Sequence, residues 1–140
     1  MKKKLIFTIC ILIGLAGPSF AGENIAKQIK QTVIDNLNAL QNEDLARMMG
    51  TIHTQSRSYL TTKQQIIPLM ENYELSYELM SFDFIGLSGE YAICRTKQRT
   101  VKISGPAFRN NEIDIIQIFK KENGKWKFWS QAILYIRYID

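Results

Sequence analysis

From Ile25 the apolar positions recur every three or four residues, through Ile29, Val33, Leu37 and Leu40, while Lys27, Lys30, Gln31, Asp35 and Asn38 fall elsewhere. That period predicts an amphipathic helix whose stripe covers a sheet. "NEDLARMMG" predicts a second, shorter helix, with Asn42 as its cap, Glu43 and Asp44 near the positive end and Gly50 as its stop. Its core stripe is Leu45, Met48, Met49 and Ile52. "TTKQQIIPLMENY" predicts a third helix, capped by Thr61 or Thr62 and kinked or shortened at Pro68, which has no amide donor. From Leu75 the period falls to two, and segments near 75–87, 90–103, 112–121 and 125–138 are parted by "SGE", "SGPAFRNN" and "ENGK". These read as four antiparallel strands joined by hairpins.

Helices followed by a meander make an α+β domain with the helices on one sheet face. In the third strand Ile113, Ile115, Gln117 and Phe119 form the bulkier row, and in the fourth Trp126, Phe128, Ser130 and Ala132 form a similar one. Those rows are expected to face the helices. Matching the second strand to them turns Ala92, Cys94, Thr96, Gln98 and Thr100 inward and leaves Arg95, Lys97 and Arg99 on the outer wall. The same register puts Lys127, Trp129, Gln131, Ile133 and Tyr135 outward, beside Tyr91 and Ile93. Aromatic residues beside arginine are enriched at interface centres, so Trp129, Ile133, Gln131, Tyr91 and Arg95 are the expected contact of a two-fold homodimer.

The residues before Ile25 change the charge balance. Lys2, Lys3 and Lys4 precede an apolar run from Leu5 to Leu15, then Gly17 and Pro18 as breakers and Ser19 and Ala21 as small residues. That is the pattern of a secretory signal peptide over residues 1–21, cleaved before Gly22, with the product periplasmic or secreted. The run is too short for a retained membrane anchor, since about 20 apolar residues are needed to span a bilayer. The formal charge of +5 falls to +2 when the three leader lysines go. A near-balanced exported chain lacks the clustered basic footprint of a nucleic-acid binder. Residues 22–140 then form one domain, long enough to bury roughly 65% of its unfolded surface without disulfides. Cys94 is the one cysteine left, and it has no partner for a bridge.

The order of elements resembles the nuclear transport factor 2-like superfamily, which includes steroid isomerases and polyketide cyclases of the SnoaL type. The resemblance rests on the opening helices through "NEDLARMMGTIH", on "YAICRTKQRT" with its long hairpin "ISGPAFRNNE", and on "FKKENGKWKFWS". It implies a strongly curved sheet closed by helices into a cone, with a pocket inside and often a dimer on the sheet's other face. The pocket residues expected from the inward rows are Gln98, Thr100, Thr96, Cys94, Gln117 and Ser130, with His53, Tyr59, Tyr73 and Tyr77 nearer the mouth. Enzymes of the superfamily that move protons place an Asp or Glu inside the cone, and none falls on the inward rows here; Asp83 and Asp114 fall on the opposite ones.

His53 is the sole imidazole, which excludes multi-histidine metal sites and leaves a lone general base as the sharpest catalytic option. The chain has no glycine-rich phosphate loop and no cysteine cluster, so no cofactor or metal is expected. The leading function is an exported module binding a small apolar or amphipathic molecule. The alternatives are an isomerase, cyclase or dehydratase using His53 and a tyrosine, and an assembly module acting through the outer sheet face.

Overall fold

The computed structural model describes residues 19–139. The charged and apolar parts of the expected leader, residues 2–15, lie outside the described residues. Helix α1 (Ser19–Gln41) runs through Ala21 and Gly22, the expected cleavage point. Its stripe is buried at Ile29, Val33 and Leu37, with Ile25 and Leu40 partly covered. No helix among the described residues is long and apolar enough to cross a membrane.

Asp44, rather than Asn42, caps α2 (Leu45–Gly50), its carboxylate accepting the Arg47 N–H at 2.9 Å. Asn42 closes the preceding helix instead, donating to the Asn38 carbonyl at 2.7 Å. Between them Glu43 takes φ +53, which makes the sharp reversal. At the other end the chain passes Gly50 into a right-handed Thr51, so the glycine is not a left-handed stop. Helix α3 (Tyr59–Asn72) starts earlier than Thr61, behind Ser58, and continues past Pro68. Asn72 donates its side-chain amide to the Pro68 carbonyl at 2.7 Å, which satisfies an acceptor in the last turn.

Strands β1 (Glu74–Ser88), β2 (Tyr91–Ser104), β3 (Asn111–Glu122) and β4 (Lys125–Tyr138) form one antiparallel sheet in the order β1-β2-β3-β4. The turn into β4 is Asn123–Gly124, both with positive φ, as the "NG" dipeptide predicts. Five register shifts break the ladder, and they leave Met80 and Ile85 in β1, Ile103 in β2, and Trp129 and Leu134 in β4 without an opposite residue. A bulge bends its strand and strengthens the twist, so these curl the sheet around α1. They also explain why Met80, Ile85, Ile103 and Leu134 are exposed despite being apolar.

The bulges decide which residues face in. In β1 the extra Met80 keeps Phe82 and Phe84 on the side of Tyr77 and Leu79, where all four pack on the core. In β4 the extra Trp129 reverses the row: Gln131 and Ile133 pair with inward Gln117 and Ile115, while Ser130 and Ala132 pair with outward Ile118 and Ile116. The expected alternation of β4 therefore fails between its two bulges, and beyond Leu134 it returns, with Tyr135 outward opposite Asp114.

Two clusters fill the inside. One joins Ile29, Val33 and Leu37 of α1 to Ala92, Cys94, Phe119 and Trp126 of the sheet. The other joins Ala39, Met48, Met49 and Ile52, with Tyr59, Ile66 and Met70 of α3 resting on them. Phe128 touches both. Residues 51–53 lie along the start of β4, where the backbones of His53 and Thr51 bond that of Phe128 at 3.0 and 2.9 Å.

Candidate functional site

Between α1, α2, α3 and the inner face of the sheet the fold leaves a cavity of about 400 Å³. Its apolar wall comes from Leu40, Met48, Ile52, Ile66, Ile113, Ile115, Phe128 and Trp129. Its polar groups are Asn36 of α1, Ser58, Thr61, Thr62 and Gln65 at the start of α3, and Gln98, Gln117, Ser130 and Gln131 of the sheet. Among the described residues, no Asp, Glu, Lys, Arg or His lines it. A second cleft of about 480 Å³ lies between α1, α2 and the β3–β4 turn, and it is lined by Asp35, Arg47, Lys125 and Lys127 among others.

Of the residues expected in the pocket, Gln98, Gln117 and Ser130 line the cavity. Cys94 and Thr96 face inward but lie beneath it, fully buried. Burial pushes the Cys94 thiol up to about 12, so the sulfur stays protonated and is a packing group. Thr100 is half-buried farther along β2, opposite Tyr77 and Asn111, and is outside the lining. Tyr59, the first residue of α3, packs on the methionine cluster. Tyr73 packs on Phe108 with ring centres 5.8 Å apart, and Tyr77 belongs to the first core cluster. Ser130 reaches the rim from the edge strand, its row turned outward by the Trp129 bulge. Sequence periodicity missed Gln131 for the same reason. It also missed the α3 contribution, although Thr62, Gln65 and Ile66 at i, i+3 and i+4 share one helix face.

His53 is buried but does not line the cavity. Its ring meets Trp129 edge to face at 5.0 Å, its Nδ1 accepts the Gln55 N–H at 3.2 Å, and Glu122 Oε1 lies 3.6 Å away. Trp129 in turn rests near Tyr91 and under the Lys120 ammonium, 4.8 Å from its ring centre. His53 thus fastens the α2–α3 loop to the β4 bulge.

The outer face, where aromatic residues with arginine were expected to form a dimer contact, carries ion pairs. Arg95 binds Asp114 through two bonds of 2.8 and 2.6 Å, and Glu112 lies between Arg99 and Arg137. Arg99 also reaches Glu78 at 3.2 Å. The five residues expected to form one contact are divided: Tyr91 and Arg95 are on the outer side, Gln131 and Ile133 are on the inner row, and Trp129, at the bulge, packs on His53 and Tyr91 while also bordering the cavity. The arginine bonds hold the carboxyls of Glu112 and Asp114 below their ordinary range. Glu122 is held at about 2 by its bonds to Lys127 and Thr54. A carboxylate whose folded pKa is depressed adds stability above its unfolded value near 4.5, and that stability is lost as pH falls toward the folded value. Stability measured by urea titration is therefore expected to fall steadily from about pH 4.5 to 2, and Glu122→Gln should flatten that slope. An unchanged slope in the variant would show that the Lys127 and Thr54 bonds do not set the titration.

A helical layer over a curled four-stranded meander, closing on a neutral cavity, defines this as a nuclear transport factor 2-like fold. A protein of that kind of unknown function from Pseudomonas putida KT2440 superposes with a TM-score of 0.66 at 10% identity, over 80% of this chain and 87% of that one. A dehydratase candidate of the same fold family from Streptomyces avermitilis gives 0.64 at 13% identity, over 78% and 94%. Bd1075 of Bdellovibrio bacteriovorus gives 0.65 at 12% identity over 76% of this chain, which spans 39% of that one. At such identities the likeness is one of fold. Among proteins of curated function, none matches in sequence. Residues 31–139 do match the family model described as "Anti-sigma-I factor RsgI9, C-terminal domain", and the chain belongs to that family.

Proposed function

We propose that the chain is an exported module that holds a small, uncharged, largely apolar molecule in the cavity beneath α3. The carrying observation is a cavity of about 400 Å³ whose lining is apolar or neutral and hydrogen-bonding, with no ionisable side chain. That volume lies within the roughly 300–1,000 Å³ of small-molecule sites. A charged ligand entering it would shed water with no counter-charge to receive it. The enzymatic alternative, favoured by the dehydratase candidate among the structural relatives, needs a group to carry a proton. The cavity offers none, and His53 is engaged outside its lining. Membership in a family named for the C-terminal domain of an anti-sigma factor favours a sensing use of the same cavity, with ligand occupancy as the signal.

The neutral fluorophore N-phenyl-1-naphthylamine tests the cavity. Its emission is expected to rise saturably at one site per chain. Ile113→Trp, which places an indole in the space, should weaken binding at least about tenfold, or ~1.4 kcal/mol. Lys97→Ala on the outer face should leave it unchanged. A folded Ile113→Trp variant that binds as well as the parent would remove the cavity from the reading.

A further inference from the structure

The polar floor of the cavity has an unlike pair of ends. The Thr96 hydroxyl, fully buried, donates to Gln117 Oε1 at 3.1 Å and accepts from Gln98 Nε2 at 3.2 Å. The Cys94 thiol also points to Gln117 Oε1, at 3.9 Å. Gln117 is 3% exposed, yet its Nε2 has no partner among the described residues. That nitrogen is not sealed in, because Trp126 Nε1 is the one fully enclosed, unpartnered side-chain polar atom among the described residues. The opening available to Gln117 is the cavity it lines. Gln98, which lines the same cavity, keeps its Oε1 without a donor.

Thr96 sets this polarity. Its single proton goes to Gln117 Oε1, towards which the Cys94 thiol also points, and its oxygen accepts from Gln98 Nε2. In that arrangement Gln117 turns an N–H to the cavity and Gln98 a C=O. We propose that the cavity selects an uncharged amide or lactam, whose carbonyl accepts from Gln117 while its N–H donates to Gln98, with Thr96 as a positioning residue that never touches the ligand. This rests on the binding role proposed above and specifies the ligand's chemistry. A carboxylate offers acceptors alone and an ammonium donors alone, so each satisfies one glutamine and leaves the other unpaired.

Benzamide, benzoate, benzylamine and toluene share one ring and differ in the polar end, and NMR titration of the protein reads their binding directly. Benzamide is expected to bind at least about tenfold more tightly than the other three and to shift the side-chain amide signals of Gln98 and Gln117. Thr96→Val should bring benzamide to the level of toluene while leaving toluene unchanged, and Thr96→Ser should restore the preference. Equal binding of benzamide and benzoate, or a preference that survives in a folded Thr96→Val variant, overturns the proposal. If toluene binds as well as benzamide, the amide selectivity falls and the apolar cavity stands. If none of the four binds, both fall.

Discussion

Phe119→Ala is expected to lower the unfolding free energy by about 3–5 kcal/mol, the range for removing a fully buried aromatic ring. The ring has no exposed surface and lies 4.6 Å from that of Phe128, tilted by 41°. Its backbone pairs Ala92 on one side and Phe128 on the other, at the Trp129 bulge. The space left by alanine cannot be refilled easily, because the neighbours there are strand residues held in a ladder and the buried stripe of α1. Urea unfolding followed by circular dichroism should show a lower midpoint at nearly unchanged slope. The loss should also reach the ligand cavity, since Phe128 touches both core clusters and lines that space. A cost under about 1 kcal/mol would mean that the helices do not clamp this part of the sheet.

The sequence and the structure part company at particular residues, for reasons that can be stated. Period-three-to-four and period-two patterns located all three helices and four strands, because burial on one face is a property of residue order. The inward row of β2 was legible too: its small residues leave room for α1, and its cationic neighbours need water or carboxylates. A bulge is different, since the alternation beyond it merely shifts by one. In β4 both rows contain bulky apolar residues, so a reversal at Trp129 and a second at Leu134 leave no mark in the periodicity. That is why Ser130 and Gln131 exchanged faces. In β1 the same signal could have been read, because a strict alternation from Tyr77 would have put Asp83 inside and Phe82 out. The polar floor was half legible. Thr96, Gln98 and Gln117 stood on predicted inward rows, but the bonds that orient their ends depend on the pairing of β2 with β3.

Gly105→Ala is expected to be the most damaging single methyl that can be added at a glycine of this domain. Gly105 begins the long β2–β3 connection at φ +116, a conformation that side chains strongly disfavour; strain of that kind costs about 1–3 kcal/mol. The added Cβ would also lie 2.5 Å from the Asn72 carbonyl oxygen and 3.1 Å from Tyr73 Cα, both backbone atoms at the end of α3. Neither can rotate away, so the loop or the helix end must move. The loop is held by Lys102, whose amide donates to Asn110 Oδ1 at 2.8 Å and whose ammonium donates to the Pro106 carbonyl at 2.9 Å. Displacement of α3 is then the easier response, since none of its residues is fully buried. Thr61, Thr62, Gln65 and Ile66 of that helix line the cavity, so Gly105→Ala should lower stability and weaken fluorophore binding together. Gly89→Ala is the matched control: its φ of +57 costs about 1–2 kcal/mol, but nothing lies within 4 Å of its Cβ and α3 is not touched. It should lose some stability and no affinity. If both variants bind the fluorophore equally well, α3 does not form the roof of the site, and its cavity residues have no part in binding.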